Sequence, residues 1–183
     1  MTGIAICYII KKWVGLNKRI EWLLVDICES FIVIASFVLG WLYQLNNKYI
    51  IGLNDVLSDR LKYIAQTMST YNIKLWGQYI EEHGNGGSII AKDNYFFIDN
   101  SFVRCMYEYG AIVFVLVIVL IFMAQKKMLD NEKYIMCLAF FIVTIASFAE
   151  HHLLEIAYNP FIFSVFACMS NNDKVIMEEK RIC

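Results

Sequence analysis

Apolar residues in this chain come in long stretches separated by short polar ones, unlike the one-sided or alternating patterns of a water-soluble domain. Four stretches are long enough to predict membrane spans, at residues 22–45, 109–124, 134–149 and 153–169. The first is cleanest over 30–45, the second carries no charged residue, and the fourth is interrupted by Glu155 and Pro160. A straight span needs about 20 residues, so the shorter runs must tilt or borrow flanking residues. Trp41, Tyr43, Tyr107, Tyr109, Tyr134 and Tyr158 stand near the ends of the runs, where amphipathic rings favour the membrane boundary.

Charge adds orientation to this pattern. Lys11, Lys12, Lys18 and Arg19 precede the first run, Lys126, Lys127 and Lys133 fill the second turn, and Lys174, Lys180 and Arg181 follow the fourth. These short segments hold ten of the sixteen Lys and Arg residues, whereas the long loop 46–106 holds the other six. Basic residues favour the cytoplasmic side, so the long loop and the turn 150–155 are expected to face outward. Asp26 and Glu29 lie one turn apart near the cytoplasmic mouth of the first span, a depth from which both are expected to reach the interface in a structural role.

The composition agrees. Of 183 residues 59% are hydrophobic and 18% charged, against about 25% charged in soluble domains, and the mean hydropathy is +0.52. A disordered chain, a nucleic-acid binder and a secreted disulfide mini-protein are excluded. Cys7, Cys28, Cys105, Cys137, Cys168 and Cys183 show no short paired spacing, so no zinc or redox motif is present, and Cys183 is not a prenylation box. The fold class predicted is an all-α polytopic membrane protein with about four spans plus a partial N-terminal one. Residues 1–45 hold that partial helix, a cytoplasmic loop and the first span; 46–108 form the extracytoplasmic loop; 109–170 form three spans; 171–183 form a cytoplasmic tail. The apolar run Ile4 to Ile10 precedes Lys11-Lys12, the reverse of a signal peptide, and reads as the end of a helix whose outer part is missing. The chain is therefore expected to be the C-terminal portion of a larger membrane protein, or the product of a late start codon.

The outer loop has room for chemistry. Leu57, Leu61, Ile64, Ala65 and Met68 recur at helical spacing and predict one amphipathic helix over 54–68, with Asn54, Asp55 or Ser58 capping its start. Such a helix lies on the membrane or packs on the spans. The glycine cluster after His83 does not open a helix after a strand, which argues against a phosphate-cradling loop. Asp99, Asn100 or Ser101 is a natural N-cap for a long helix running into the second span, and Arg104 and Glu108 are spaced as a helical surface pair. Glu150, His151, His152 and Glu155 form a polar turn; adjacent histidines diverge on a helix, so the spacing is not that of a zinc helix.

Three local patterns together resemble one family. They are Leu57-Ser-Asp-Arg60-Leu followed by Leu75-Trp-Gly77, then Asp99-Asn-Ser-Phe102 leading to Tyr109-Gly110-Ala-Ile, and then the acidic turn Glu150 to Glu155 with Asn159-Pro160-Phe161. In this order they resemble the C-terminal half of bacterial O-antigen and capsular polysaccharide polymerases (Wzy-type), over roughly residues 50–165. That family is similar in fold to the O-antigen ligases, which carry a His-Asn pair where this chain has Asp99-Asn100.

The resemblance implies an inverting, metal-independent glycosyltransferase of the bacterial cell membrane that needs no cofactor. It would polymerise undecaprenyl-pyrophosphate-linked oligosaccharide repeat units, with a flippase and a chain-length regulator as further partners. Arg60 falls on the family's loop arginine and is expected to bind pyrophosphate, because a guanidinium grips phosphate oxygens bidentately. Asp99 is expected to orient or activate the acceptor hydroxyl. Arg104, Asn100, Glu150, His151 and Glu155 are expected substrate contacts. The competing readings are a ligase-like glycan transferase and a non-catalytic truncated or accessory membrane protein.

Overall fold

The computed structural model describes residues 18–83, 95–131, 133–151 and 153–154. The run Ile4 to Ile10 with Lys11-Lys12, the glycines of 84–87, His152, Glu155, Asn159-Pro160-Phe161, the tail and all but the first two residues of the predicted fourth span lie outside them. Six α-helices make up most of the described chain: α1 (Lys18–Gln44), α2 (Lys48–Val56), α3 (Arg60–Thr70), α4 (Ser101–Arg104), α5 (Ala111–Asp130) and α6 (Tyr134–Ala146). A π-helical turn, Cys105–Tyr109, joins α4 to α5. No strand occurs among the described residues; one antiparallel bridge pairs His83 with Phe96.

Two helices, Trp22–Gln44 within α1 and Ala111–Asp130, are long and apolar enough to cross a membrane. A soluble core helix of that composition would be mostly buried, yet only 17% and 33% of their apolar windows are covered by the protein itself. Helix α6 matches the start of the third predicted span but has 13 residues, a rise of about 20 Å. It then winds into turns at 147–149.

Among the described residues two apolar cores can be distinguished. In one, Ile121, Ala124 and Met128 of α5 meet Cys137 and Phe140 of α6, with Trp22, Ile32, Val33 and Phe37 of α1 packed against them. Phe37 meets Phe114 edge to face at 5.8 Å. Contrary to the expectation from sequence, Glu29 does not reach the interface; it is buried inside this core, because α5 and α6 cover it. Its Oε1 accepts from Gln125 Nε2 at 2.7 Å, and Cys137 Sγ contacts Gln125 Oε1 at 2.9 Å, linking three helices. Asp26, one turn away, is partly exposed.

The second core caps the ends of the long helices. Leu61 and Ile64 of α3 pack with Ile80, Phe96, Ile98, Val103 and Tyr107. The predicted apolar stripe is therefore real and faces α1, where the backbone approaches closely at Gly40; a Cβ there would collide with Ile64. Gln44 Nε2 donates to the Ala65 carbonyl at 2.8 Å and fixes the same contact.

Two expected continuous helices are broken. The predicted helix over 54–68 turns a corner at 57–59, where Ser58 (φ 54°) and Asp59 (φ 67°) are both left-handed. Asn54 spans the corner: its Nδ2 donates to Asp59 Oδ1 at 2.8 Å and its Oδ1 accepts from Lys62 N at 3.0 Å. Asn54 thus caps α3, as one of the three expected candidates, but from within the preceding helix.

The second break is at Gly110 (φ 97°), so the helix begun at Ser101 does not run directly into the span. The loop from Lys74 to Gln78 crosses this break. Ala111 and Ile112 donate to the carbonyls of Lys74 and Leu75 at 3.0 and 3.3 Å, and Gln78 N donates to the Glu108 carbonyl at 3.0 Å. A helix start leaves its first N–H groups without intrahelical partners, and here another segment's backbone supplies them.

Candidate functional site

Asp99, Asn100 and Ser101 are adjacent in sequence but do different work. Asn100 is the N-cap: its Oδ1 accepts from the backbone N–H of Phe102 and Val103 at 3.0 and 2.9 Å. Its Nδ2 donates to Ser36 Oγ of α1 at 3.1 Å and to the Phe148 carbonyl at 2.8 Å. The buried carboxamide has both donors and both lone pairs engaged, leaving nothing for a substrate. Ser101 N donates to the Ser147 carbonyl at 2.9 Å, while its hydroxyl donates to the Glu150 carbonyl and accepts from Leu153 N. These two residues sew the 147–153 turn and α1 to the start of α4.

Asp99 has no capping role and faces Arg60. Its Oδ2 lies 3.5 Å from Arg60 Nε, and Glu150 Oε1 lies 3.1 Å from Arg60 NH2 on the same guanidinium. Arg60 is the first residue of α3, directly after the left-handed corner, so the corner aims its side chain. Ion pairs this exposed contribute about 0–1 kcal/mol, so the arrangement matters for where the charges sit more than for stability.

Burial pushes the Asp99 carboxyl above its ordinary range; Arg60 opposes this and Glu150 adds to it. Tyr63 and Tyr95 stand nearby with ring centroids 5.3 Å apart, and burial first, then neighbouring carboxylates, push their phenols upward. Both remain neutral hydroxyl groups at physiological pH.

Arg104 occupies an adjoining position and is more than a helical surface pair. It bonds Glu82, lies 3.4 Å from Glu108 Oε2 through Nε without hydrogen-bond geometry, and stacks its guanidinium 4.7 Å from the Phe97 ring. His151 meets Phe97 edge-on at 5.0 Å. Ser101, Arg104, Tyr109, His151 and Leu154 line a small open recess there. Burial raises the Glu108 carboxyl, Arg104 lowers it and Glu82 raises it again.

Of the residues singled out in sequence, Arg60, Asp99 and Glu150 converge, Arg104 and His151 flank them through Phe97, Asn100 is structural, and Glu155 lies outside the described residues. Glu82 and Phe97 went unnoticed. Glu82 binds Arg104 and also accepts from Ile98 N at 2.9 Å, a tertiary contact without any local signature. Among the described residues no three His, Cys, Asp or Glu side chains gather as a metal cluster. The arrangement can hold an oxyanion at either arginine, at the expense of a carboxylate contact, and can accept a proton at Asp99.

No protein family, curated protein or solved structure matches this chain.

Proposed function

We propose that the chain carries the catalytic residues of a bacterial cell-membrane glycosyltransferase that polymerises undecaprenyl-pyrophosphate-linked repeat units. In this reading four spans hold it in the membrane and the segment 46–108 faces outward. One observation supports this most: Arg60, Asp99 and Glu150, one from each of the three motifs behind the resemblance, meet within ion-pair distance. The exposed apolar faces of the two long helices support the membrane setting.

Asp99 serves as the base. Its carboxylate takes the proton of the acceptor sugar hydroxyl, the oxygen forms a bond to the donor's anomeric carbon from the opposite face, and the bond to pyrophosphate breaks. The leaving undecaprenyl pyrophosphate carries away the electron pair. Arg60 exchanges one carboxylate contact for the pyrophosphate oxygens and stabilises the developing charge. The raised affinity of Asp99 for protons suits a base, because a carboxylate that accepts a proton readily is the better catalyst near neutral pH.

The test is an Arg60→Ala strain and an Asp99→Asn strain of the polymer-producing host. Long polymer is expected to disappear in both while single repeats persist on the lipid. A normal polymer ladder from Arg60→Ala would sink the assignment, and intact but unattached polymer after deletion would mark a ligase instead.

A further inference from the structure

Helix α2 leaves an apolar stripe uncovered. Tyr49, Leu53 and Val56, spaced i, i+4 and i+7, share one face and are 87%, 37% and 79% exposed. The helix is held by its other side, through Ile50 in the outer core and the buried Asn54. It follows α1 after a short turn, at the end where Trp41 and Leu45 are also exposed. Between the exposed residues at the end of α1 and the stripe of α2 the chain makes only a short turn.

A second exposed apolar patch lies on the loop that crosses the start of α5. Ile73, Leu75, Trp76 and Tyr79 are all exposed there. The depth of this loop is set by its backbone, because Lys74 and Leu75 accept from the first N–H groups of the apolar helix at Ala111 and Ile112. Trp76 thus stands level with the mouth of that helix. Aromatic rings at such a level, with exposed Lys74 and Lys48 beside them, match the boundary between phosphate headgroups and acyl chains.

We propose that α2 and the loop 73–79 form an interfacial collar. Tyr49, Leu53, Val56, Leu75 and Trp76 insert into the headgroup–acyl boundary of a lipid bilayer. The collar holds the Arg60–Asp99–Glu150 cluster, which begins four residues after Val56, at headgroup height. This rests on the membrane part of the reading above and is independent of the chemistry assigned to the cluster. Of the two placements expected for the amphipathic helix, on the membrane or packed on the spans, α3 takes the second, its stripe consumed by packing on α1, and the boundary is left to its shorter neighbour α2.

The experiment is depth-dependent quenching in vesicles of phosphatidylcholine and phosphatidylglycerol carrying brominated acyl chains. Three variants keep one reporter each, with the other tryptophans changed to Phe: Trp76 alone, Trp41 alone, and Val56→Trp alone. Trp76 and Val56→Trp are expected to be quenched most by shallow bromines and several-fold less by bromines near the bilayer centre. Quenching of Trp41 without quenching of the other two overturns the collar and leaves the membrane reading standing. Absence of quenching at all three overturns both. Quenching of the two collar probes that appears only on dilution of protein into excess lipid marks a face covered by a second copy, and also overturns the proposal.

Discussion

Gly77 and Gly110 meet backbone to backbone where the loop 74–78 crosses the start of α5, each in the left-handed half of backbone space. A Cβ on Gly77 would collide with the Glu108 carbonyl, and one on Gly110 with the Gly77 amide. The contact lets two segments share hydrogen bonds that a helix start otherwise leaves open, and it seats Trp76 over the helix mouth.

Gly110→Ala and Gly77→Ala are each expected to destabilise the folded protein by more than about 1 kcal/mol, because strain at positive φ adds to a backbone clash. Thermal unfolding in detergent micelles checks this. A midpoint unchanged in both variants would remove the crossing from the fold.

Neighbours Asp99 and Asn100 should respond oppositely to truncation. Asn100→Ala removes the cap of α4 and strands the buried partners of its carboxamide, so a loss of about 2 kcal/mol is expected. Asp99→Ala removes one half-buried partner of an Arg60 that keeps Glu150 and can be hydrated, and is expected to leave stability nearly unchanged while ending polymer formation. Equal losses from the two substitutions would contradict the division of labour.

Ionisation of Asp99 sets a direction for pH dependence. Its carboxyl holds a proton more tightly in the folded chain than in the unfolded one, so the folded state carries more protons between the ordinary value of 3.8 and the raised one. Stability contributed by this group therefore falls as pH rises through that window and returns as pH drops. The acid limb of the activity profile is expected above the ordinary carboxylate range for the same reason. Asp99→Asn should flatten its share of the stability profile, and an unaltered slope there would count against the burial argument.

Inside the long helices, Gln125→Leu deprives Glu29 of its partner and should weaken helix association by roughly 0.6–1.7 kcal/mol, the range for polar contacts between membrane helices. Cys137→Ala tests the weaker end of the same chain of contacts and should cost less. Equilibrium unfolding in mixed micelles separates the two; a larger loss for Cys137→Ala would break the proposed order.

Legibility in the sequence followed locality. The apolar run from Trp22 produced a helix because nothing within it interrupts the period, and the stripe of Leu61, Ile64, Ala65 and Met68 appeared on the face its spacing predicts. Arg60 and Asp99 were singled out because each stands in a short pattern, and the structure brings the two side chains together. Glu82 was not, since its partners Arg104 and Ile98 are far along the chain. The corner at Ser58–Asp59 escaped too, because two left-handed non-glycine residues oppose local preference and are held by Asn54.

What the sequence determined by itself is therefore two long apolar helices, one amphipathic face and the identity of the charged residues, all consequences of period and composition over a few turns. Only the tertiary structure decided which of Asp99, Asn100 and Ser101 caps the helix and which is left to face Arg60. It also decided that Glu29 is buried against Gln125, and that α2 rather than α3 leaves an apolar stripe uncovered. Each of those outcomes depends on which surfaces are consumed by packing between distant segments, and no local pattern carries that information.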